Sequence, residues 1–286
     1  MGKWPAVVII LLAFSFSASA QQFDWRTYPG NGTLPAGDYV TPVKDQGQVG
    51  TCWAFCAVGV IESKYAIQTG TINPTLDLSE QNVVSGEFAI GQGDITGGYT
   101  EKAFMYSGSS GITTENKVPY TLTNKSPNFP LAGQYTLYKA GSFFTTRWLD
   151  SSQDTVSAVK ADLENDGPLG LYIWVDGHGG VGGDWYWPTG APSTDQTGPL
   201  AYHSVIITGF TDDPSAPGGG YWHIKNSWGT QWGDDGYGYV SYETGLEPGH
   251  YVTGLDGNIS VVVVPEPASM TMLVIGVIFI ARKHRK

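Results

Sequence analysis

At Gly167-Pro168 the hydrophobic pattern of this chain changes period, and that change limits the folds open to it. Before it, apolar residues recur at spacings of three and four. From Thr51 to about Thr69, Phe55, Val58, Ile61 and Tyr65 predict a helix with one buried face, with Gly70 as its stop. Further helices are predicted from Ser79 (LSEQNVV), near Thr100 (TEKAFMY) and over SSQDTVSAVKADLEND, where Val156, Val159 and Leu163 share a face. After Pro168 the runs LGLYIWV, HSVIITGF, YWHIKNSW and YGYVSY are short, β-branched or aromatic, and divided by glycine-rich loops. Helices first and strands second predict an α+β fold of two lobes. With 286 residues, 41% hydrophobic, there is enough apolar material for it.

Both ends read as processing segments. Residues 1–20 have a short Lys3-bearing head, an apolar run from Ala6 to Phe16 and the small-x-small ending Ala18-Ser19-Ala20 of a signal peptidase site. The run is too short for a membrane anchor. At the other end, Val264 to Ser269 precede about a dozen mostly apolar residues, and Arg282, Lys283, Arg285 and Lys286 close the chain. An apolar run of that length is ordinarily a core helix, but a terminal basic cluster favours a membrane segment with its positive end in the cytoplasm. Pro265-Glu266-Pro267, the apolar stretch and the basic tail resemble the PEP-CTERM sorting signals of bacteria. That resemblance implies an exosortase-type processing enzyme as a partner, beside signal peptidase, and a transient anchor. The expected organisation is therefore a signal peptide over 1–20, a catalytic domain over 21–262 and a sorting segment over 263–286. The expected location is outside the cell or on its envelope.

Five of the fifteen Lys and Arg lie in those two ends, against Glu266 alone of the 26 acidic residues. The middle keeps 25 acidic and ten basic residues, a balance of −15. Such a surface repels phosphate backbones, so no nucleic-acid partner is expected.

Both cysteines, Cys52 and Cys56, fall in QVGTCWAFCA. Four apart at a helix start, they are poor candidates for a mutual disulfide. At the first helical turn, backbone N–H groups and the helix dipole favour a thiolate at Cys52. Cys56, one turn on, reads as a buried inert thiol. A thiolate nucleophile needs a proton partner and a group to orient that partner. His178 and His250 lie in glycine-rich loops and His284 in the tail, whereas His203 and His223 fall in predicted strands. His223 precedes Lys225 by two positions and is read as structural. A zinc site on the two cysteines lacks ligand pairs of the usual spacing, and no metal or cofactor is expected. The loop GHGGVGGD (177–184) lacks the Lys-Ser/Thr of a phosphate loop and has a single acid. Asn31 and Asn258 match glycosylation sequons, which beside a bacterial sorting tail are read as accidental.

VTPVKDQGQVGTCWAF, LSEQ (Leu78 to Gln81), Gly97-Gly98, GITTENKVPY, YHSVIITGF and KNSWGTQWGDDGYGYV occur in the order of the papain family of cysteine peptidases, which the chain resembles between its two ends. The resemblance implies a two-lobe papain-like fold with a helical first lobe, a β-barrel-like second lobe and a cleft between them. It places Cys52 at the nucleophile, His203 at the general base, Asn226 at the orienting residue and Gln46 at the oxyanion position. Gly97 and Gly98 fall where substrate backbone lies, Trp228 stands beside Asn226 as a shield or as an ordinary core tryptophan, and Tyr172 and Ala201 are candidates for the specificity pocket. Residue chemistry fits: imidazole accepts and returns a proton near neutral pH, and an amide orients it without adding charge. The implied activity is endopeptidase hydrolysis of protein or peptide by a monomer, with a non-catalytic papain-like binding or display module as the alternative. Two departures are evident. The family's bridging cysteines are replaced by Val49 and roughly Ile95, and signal cleavage after Ala20 leaves QQF before Asp24-Trp25-Arg26, with no inhibitory prosegment.

Overall fold

The computed structural model describes residues 21–148, 153–176, 184–188, 200–245 and 251–265. Four helices form where the periodicity places them: α1 (Cys52–Thr69), α2 (Glu80–Ala89), α3 (Thr100–Ser110) and α4 (Gln153–Asp166). Ser79 caps α2, its side chain accepting from the Asn82 N–H at 2.9 Å. Gly70 ends α1 in the left-handed conformation (φ 66°), which a glycine adopts without steric cost.

The one-sided burial expected for α1 is not what the structure shows. Every residue from Trp53 to Lys64 is buried, including Glu62, Ser63 and Lys64. The cause is position: one side of α1 packs in the first lobe's core with Leu78, Val83, Ala103 and Phe104, and another side meets the second lobe. Gly59 lies so close to that lobe that a Cβ there would come within 2.5 Å of Ile206 Cδ1.

The second lobe is built on β3 (Phe144–Trp148), β4 (Leu169–Asp176), β5 (Trp185–Tyr186), β6 (Leu200–Asp212), β7 (Gly220–Lys225), β8 (Tyr237–Ser241) and β9 (Tyr251–Gly254). Their order is β3-β9-β4-β6-β7-β8-β5, all pairs antiparallel. Among the described residues this sheet is open, with β3 and β5 at its ends, so the barrel-like closure expected of the second lobe is corrected to an open sheet. Val156, Val159 and Leu163 of α4 pack with Leu169, Leu171, Ile173, Val205 and Ile207 in its core.

Two additions were not visible in the hydrophobic pattern. β1 (Gln22–Asp24) leaves the start of the chain to pair with β6, and Trp25 joins the second core. β2 (Tyr135–Lys139) pairs with β10 (Ser260–Val264) in a separate two-stranded ribbon. Val264 is thus paired with Tyr135, and Pro265, exposed, follows the ladder. β10 runs across position 262, where the catalytic domain was expected to end. Residues 1–20 and 266–286 lie outside the described residues, and among those described no helix is long and apolar enough to cross a membrane.

Candidate active site

Cys52 is the first residue of α1 and is partly exposed. The loop before it is fixed from behind. Tyr120 donates its hydroxyl to the Gln46 carbonyl at 2.9 Å, so the 2.6 Å contact with Thr51 has the Thr51 hydroxyl as donor. Tyr120 also packs edge-on against Phe55, 4.9 Å between centroids. One chain of contacts therefore joins the Gln46 loop to the start of the helix.

Gln46 is buried and held at three atoms. Its backbone N–H bonds to the Ser227 carbonyl at 2.8 Å, its side-chain oxygen accepts from the Ser227 hydroxyl at 2.6 Å, and its Nε2 donates to the Val49 carbonyl at 2.7 Å. An amide nitrogen carries two hydrogens, so one remains for a second acceptor.

His203 lies on β6 and Asn226 directly after β7, and both are buried. Asn226 Oδ1 stands 2.7 Å from His203 Nε2 and also accepts from the Ser227 N–H at 2.7 Å. Two donors on one oxygen fix the amide flip, and the imidazole therefore carries its hydrogen on Nε2 when neutral. Trp228 stacks over the His203 ring at 4.4 Å and 26°, and is itself braced edge-on by Trp185 and Trp232. It is both a packed tryptophan and the cover of the imidazole.

The polar groups of Ser204, the residue after His203, act on the Cys52 thiol. Together with the N–H groups of Trp53 and Cys52 they favour the thiolate, yet burial outweighs them and pushes the thiol up. Burial also drives His203 down to about 4, against the opposing bond to Asn226. The helix start favours the thiolate and burial opposes it, so the proton partner decides the balance. Each charge is disfavoured singly.

Cys56 is buried, donates to the Val205 carbonyl at 3.1 Å and is pushed up to about 12 by burial. His223 is buried away from this constellation: its Nδ1 meets Asp24 Oδ2 at 2.7 Å and its Nε2 the Thr211 hydroxyl at 2.8 Å. His178 and His250 lie outside the described residues.

Beside the site runs an open groove of ≈ 790 Å³ whose walls include Gly97, Gly98, Tyr99, Tyr172, Tyr202 and Tyr251. Gly97 is exposed, and a Cβ on Gly98 would fall 2.5 Å from the Trp53 ring beneath it. Of the residues expected on the substrate side, Gly97, Gly98 and Tyr172 line this groove. Ala201 does not, nor does Trp228, which is committed to the imidazole face. Tyr202 and Tyr251 line it instead and were not anticipated: Tyr202 is the neighbour of Ala201, half-exposed with its ring tilted against Trp174, and Tyr251 follows a residue span with no strand-like alternation. Where the family's disulfide would stand, the Gly50 N–H bonds to the Ile95 carbonyl at 2.6 Å. Among the described residues no three His, Cys, Asp or Glu gather in a metal-binding group.

Comparison with known proteins agrees with this geometry. The chain is 34% identical over 206 residues to a cysteine proteinase of Trypanosoma brucei brucei, covering 69% of this chain and 40% of that one. It is 30% identical over 254 residues to a cysteine protease of Blomia tropicalis (85% and 65%), and 34% over 202 residues to a cathepsin L-like peptidase of Aedes aegypti (69% and 54%). The chain thus spans less than two thirds of the length of these relatives. Among solved structures it resembles one from work on the mite allergens Blo t 1 and Der p 1, with a TM-score of 0.59, 28% identity and 87% and 74% of the two chains covered. It also resembles the proform of the ragweed pollen cysteine protease Amb a 11, with a TM-score of 0.58, 26% identity and coverage of 83% and 66%. The PEP-CTERM protein-sorting motif matches residues 263–286. The papain family cysteine protease profile matches residues 19–251, and the chain belongs to that family.

Proposed function

We propose that this chain is an exported cysteine endopeptidase that cleaves peptide bonds through an acyl-enzyme intermediate. The observation that carries the reading is the 2.7 Å contact of His203 Nε2 with Asn226 Oδ1, on a buried histidine covered by Trp228. With Nε2 engaged, Nδ1 is the nitrogen that serves the thiol.

In this reading the Cys52 proton passes to His203 Nδ1 and the sulfur attacks the scissile carbonyl. The tetrahedral oxyanion takes hydrogen bonds from the Cys52 backbone N–H and from the second hydrogen of Gln46 Nε2; one such donor is worth roughly 3 kcal/mol of barrier. Imidazolium returns its proton to the leaving amine, the C–N bond breaks, and a thioester remains. Water, deprotonated by His203, attacks that thioester, and the acid product leaves with Cys52 and His203 restored. Because burial disfavours either charge alone, the thiolate and the imidazolium form together and titrate as one pair.

The rest of the reading concerns placement. Residues 1–20 direct export, residues 21–264 form the catalytic unit, and the segment from Pro265 to Lys286 anchors it briefly until an exosortase-type enzyme acts. Substrates are then proteins or peptides met outside the cytoplasm or at the envelope. The test is alkylation by a peptidyl epoxide of purified residues 21–264, with digestion of an unfolded protein measured alongside. One label per chain on Cys52, with loss of hydrolysis in proportion, is the expected result. Labelling without any hydrolysis would make the chain a binding or display module.

A further inference from the structure

We infer that Tyr172 is a positioning residue that braces the Gly97–Gly98 ledge from the opposite lobe. This deepens the peptidase reading and rests on it for the role of the ledge as the track of an extended peptide.

The ledge belongs to the first lobe. Its turn closes on itself, with the Asp94 N–H donating to the Gly97 carbonyl at 2.9 Å and the Gly97 N–H returning to the Asp94 carbonyl at 3.3 Å. Toward α1 it is tied by the Gly50–Ile95 backbone bond and by the Trp53 ring under Gly98. Both anchors hold the side of the ledge next to Cys52. The far side, where the chain rises into α3, is held by Tyr172.

Tyr172 comes from β4 in the second lobe. Its hydroxyl accepts from the Thr100 N–H at 2.9 Å and donates to the Gly98 carbonyl at 3.2 Å. One oxygen thus spans both residues that flank Tyr99, using its donor and an acceptor at once. The ring is not free to follow the ledge: it is buried and stacked on Tyr251 at 4.3 Å and 20°. Tyr251 in turn donates to Glu101 in the first turn of α3 at 3.1 Å. Burial pushes the Tyr172 phenol up to about 12, so it keeps its donor hydrogen across the working pH range.

A backbone ledge binds a peptide by offering main-chain N–H and C=O groups at a fixed height, and rigid presentation lowers the ordering cost of binding. Losing one neutral hydrogen-bond pair should therefore weaken peptide binding about three- to tenfold. Tyr172→Phe removes only the hydroxyl and keeps the stack on Tyr251.

The probe is fluorescein-labelled oxidised insulin B chain, an extended polypeptide of mixed sequence, titrated by anisotropy onto Cys52→Ala protein with Tyr172 or with Phe there. The expected result is a Kd about three- to tenfold weaker with Tyr172→Phe at an unchanged Tm, and in the Cys52 protein a KM raised by the same factor with kcat held. Equal Kd values overturn the inference, and so does a peptide that fails to bind Cys52→Ala protein. A weaker Kd accompanied by a lower Tm also overturns it, since the hydroxyl would then serve the fold at large. Cleavage of the same chain by the Cys52 protein is read separately: binding that depends on Tyr172 without any cleavage sinks the peptidase reading and leaves the brace standing.

Discussion

Asn226 Oδ1 lies 2.7 Å from His203 Nε2 and shares its second lone pair with the Ser227 N–H, so the amide that orients the imidazole is itself oriented by the next residue of the chain. Asn226→Ala removes the first of these contacts while Trp228 still stacks on the ring. Its kcat on peptide should fall by about 10- to 100-fold, less than the loss in His203→Ala, where the base itself is gone. His223→Ala should keep kcat and lower Tm, because His223 ties Asp24 of β1 to Thr211 of β6. Steady-state kinetics and melting curves on the three variants check this. A collapse of kcat in His223→Ala with His203→Ala unaffected would reverse the assignment of the base.

The second prediction follows from the opposed burial effects on Cys52 and His203. Burial, only partly opposed by the bond to Asn226, brings His203 down to about 4, and only a thiolate facing it can hold its proton at higher pH. Alkylating Cys52 removes that partner. The His203 ring signals in an NMR titration should then move from a higher midpoint in the free protein down toward 4 in the alkylated one. An identical midpoint in both forms would mean that no ion pair forms at rest.

These two residues show what was legible in the sequence and what was not. The motif around Cys52, and the strands carrying His203 and Asn226, could be located because strand period and residue type are local properties. That Ser227 fixes both Gln46 and Asn226, or that Tyr251 stacks on Tyr172, depends on which distant segments the sheet order brings together. β1 and β10 escaped for a related reason: QFD is too short to show alternation, and the four consecutive valines of SVVVV show none, so neither pattern names a partner strand. α1 was misjudged in burial because its polar residues Glu62 and Lys64 are satisfied inside the protein by Thr41, Lys44 and the Asp166 carbonyl. A one-dimensional pattern reads such residues as a solvent face.

The third prediction concerns Glu87, buried at the end of α2 with Oε2 unpartnered. Burial raises its carboxyl to about 7, above the usual 4.5, with Lys102 only partly opposing. A raised carboxyl pKa means the folded state binds more protons than the unfolded one between those values. The associated stability is present below pH 4.5 and is lost as pH rises through 7. Glu87→Gln, which never ionises, should therefore gain on the wild type by about 1 to 3 kcal/mol more at pH 8 than at pH 4. Urea unfolding at the two pH values measures the difference. A gain that is the same at both would place the ionisation of Glu87 outside the folding equilibrium.

The last prediction fixes where the folded body ends, which decides what a sorting enzyme finds to cut. Ile259 is buried in the first lobe's core, and its N–H and C=O both bond the Gln68 side chain on α1 at 2.8 and 3.0 Å. From there β10 pairs with β2 residue by residue up to Val264 opposite Tyr135. Pro265 has no N–H to extend the ladder, so pairing stops at the first residue of the Pro-Glu-Pro motif. The domain and its C-terminal segment thus meet at the Val264–Pro265 bond. A chain ending at Val264 should melt with the full-length protein, whereas one ending at Asn258 loses the Ile259 anchor and the ribbon. Burial of an isoleucine side chain is worth about 1.5 to 3 kcal/mol, which for a chain of this size lowers Tm by roughly 3 to 10 °C. Calorimetry on the two truncations is the measurement. Equal melting of both would show that β10 contributes nothing to the fold, and cleavage well inside residues 260–264 would then be as feasible as cleavage after them.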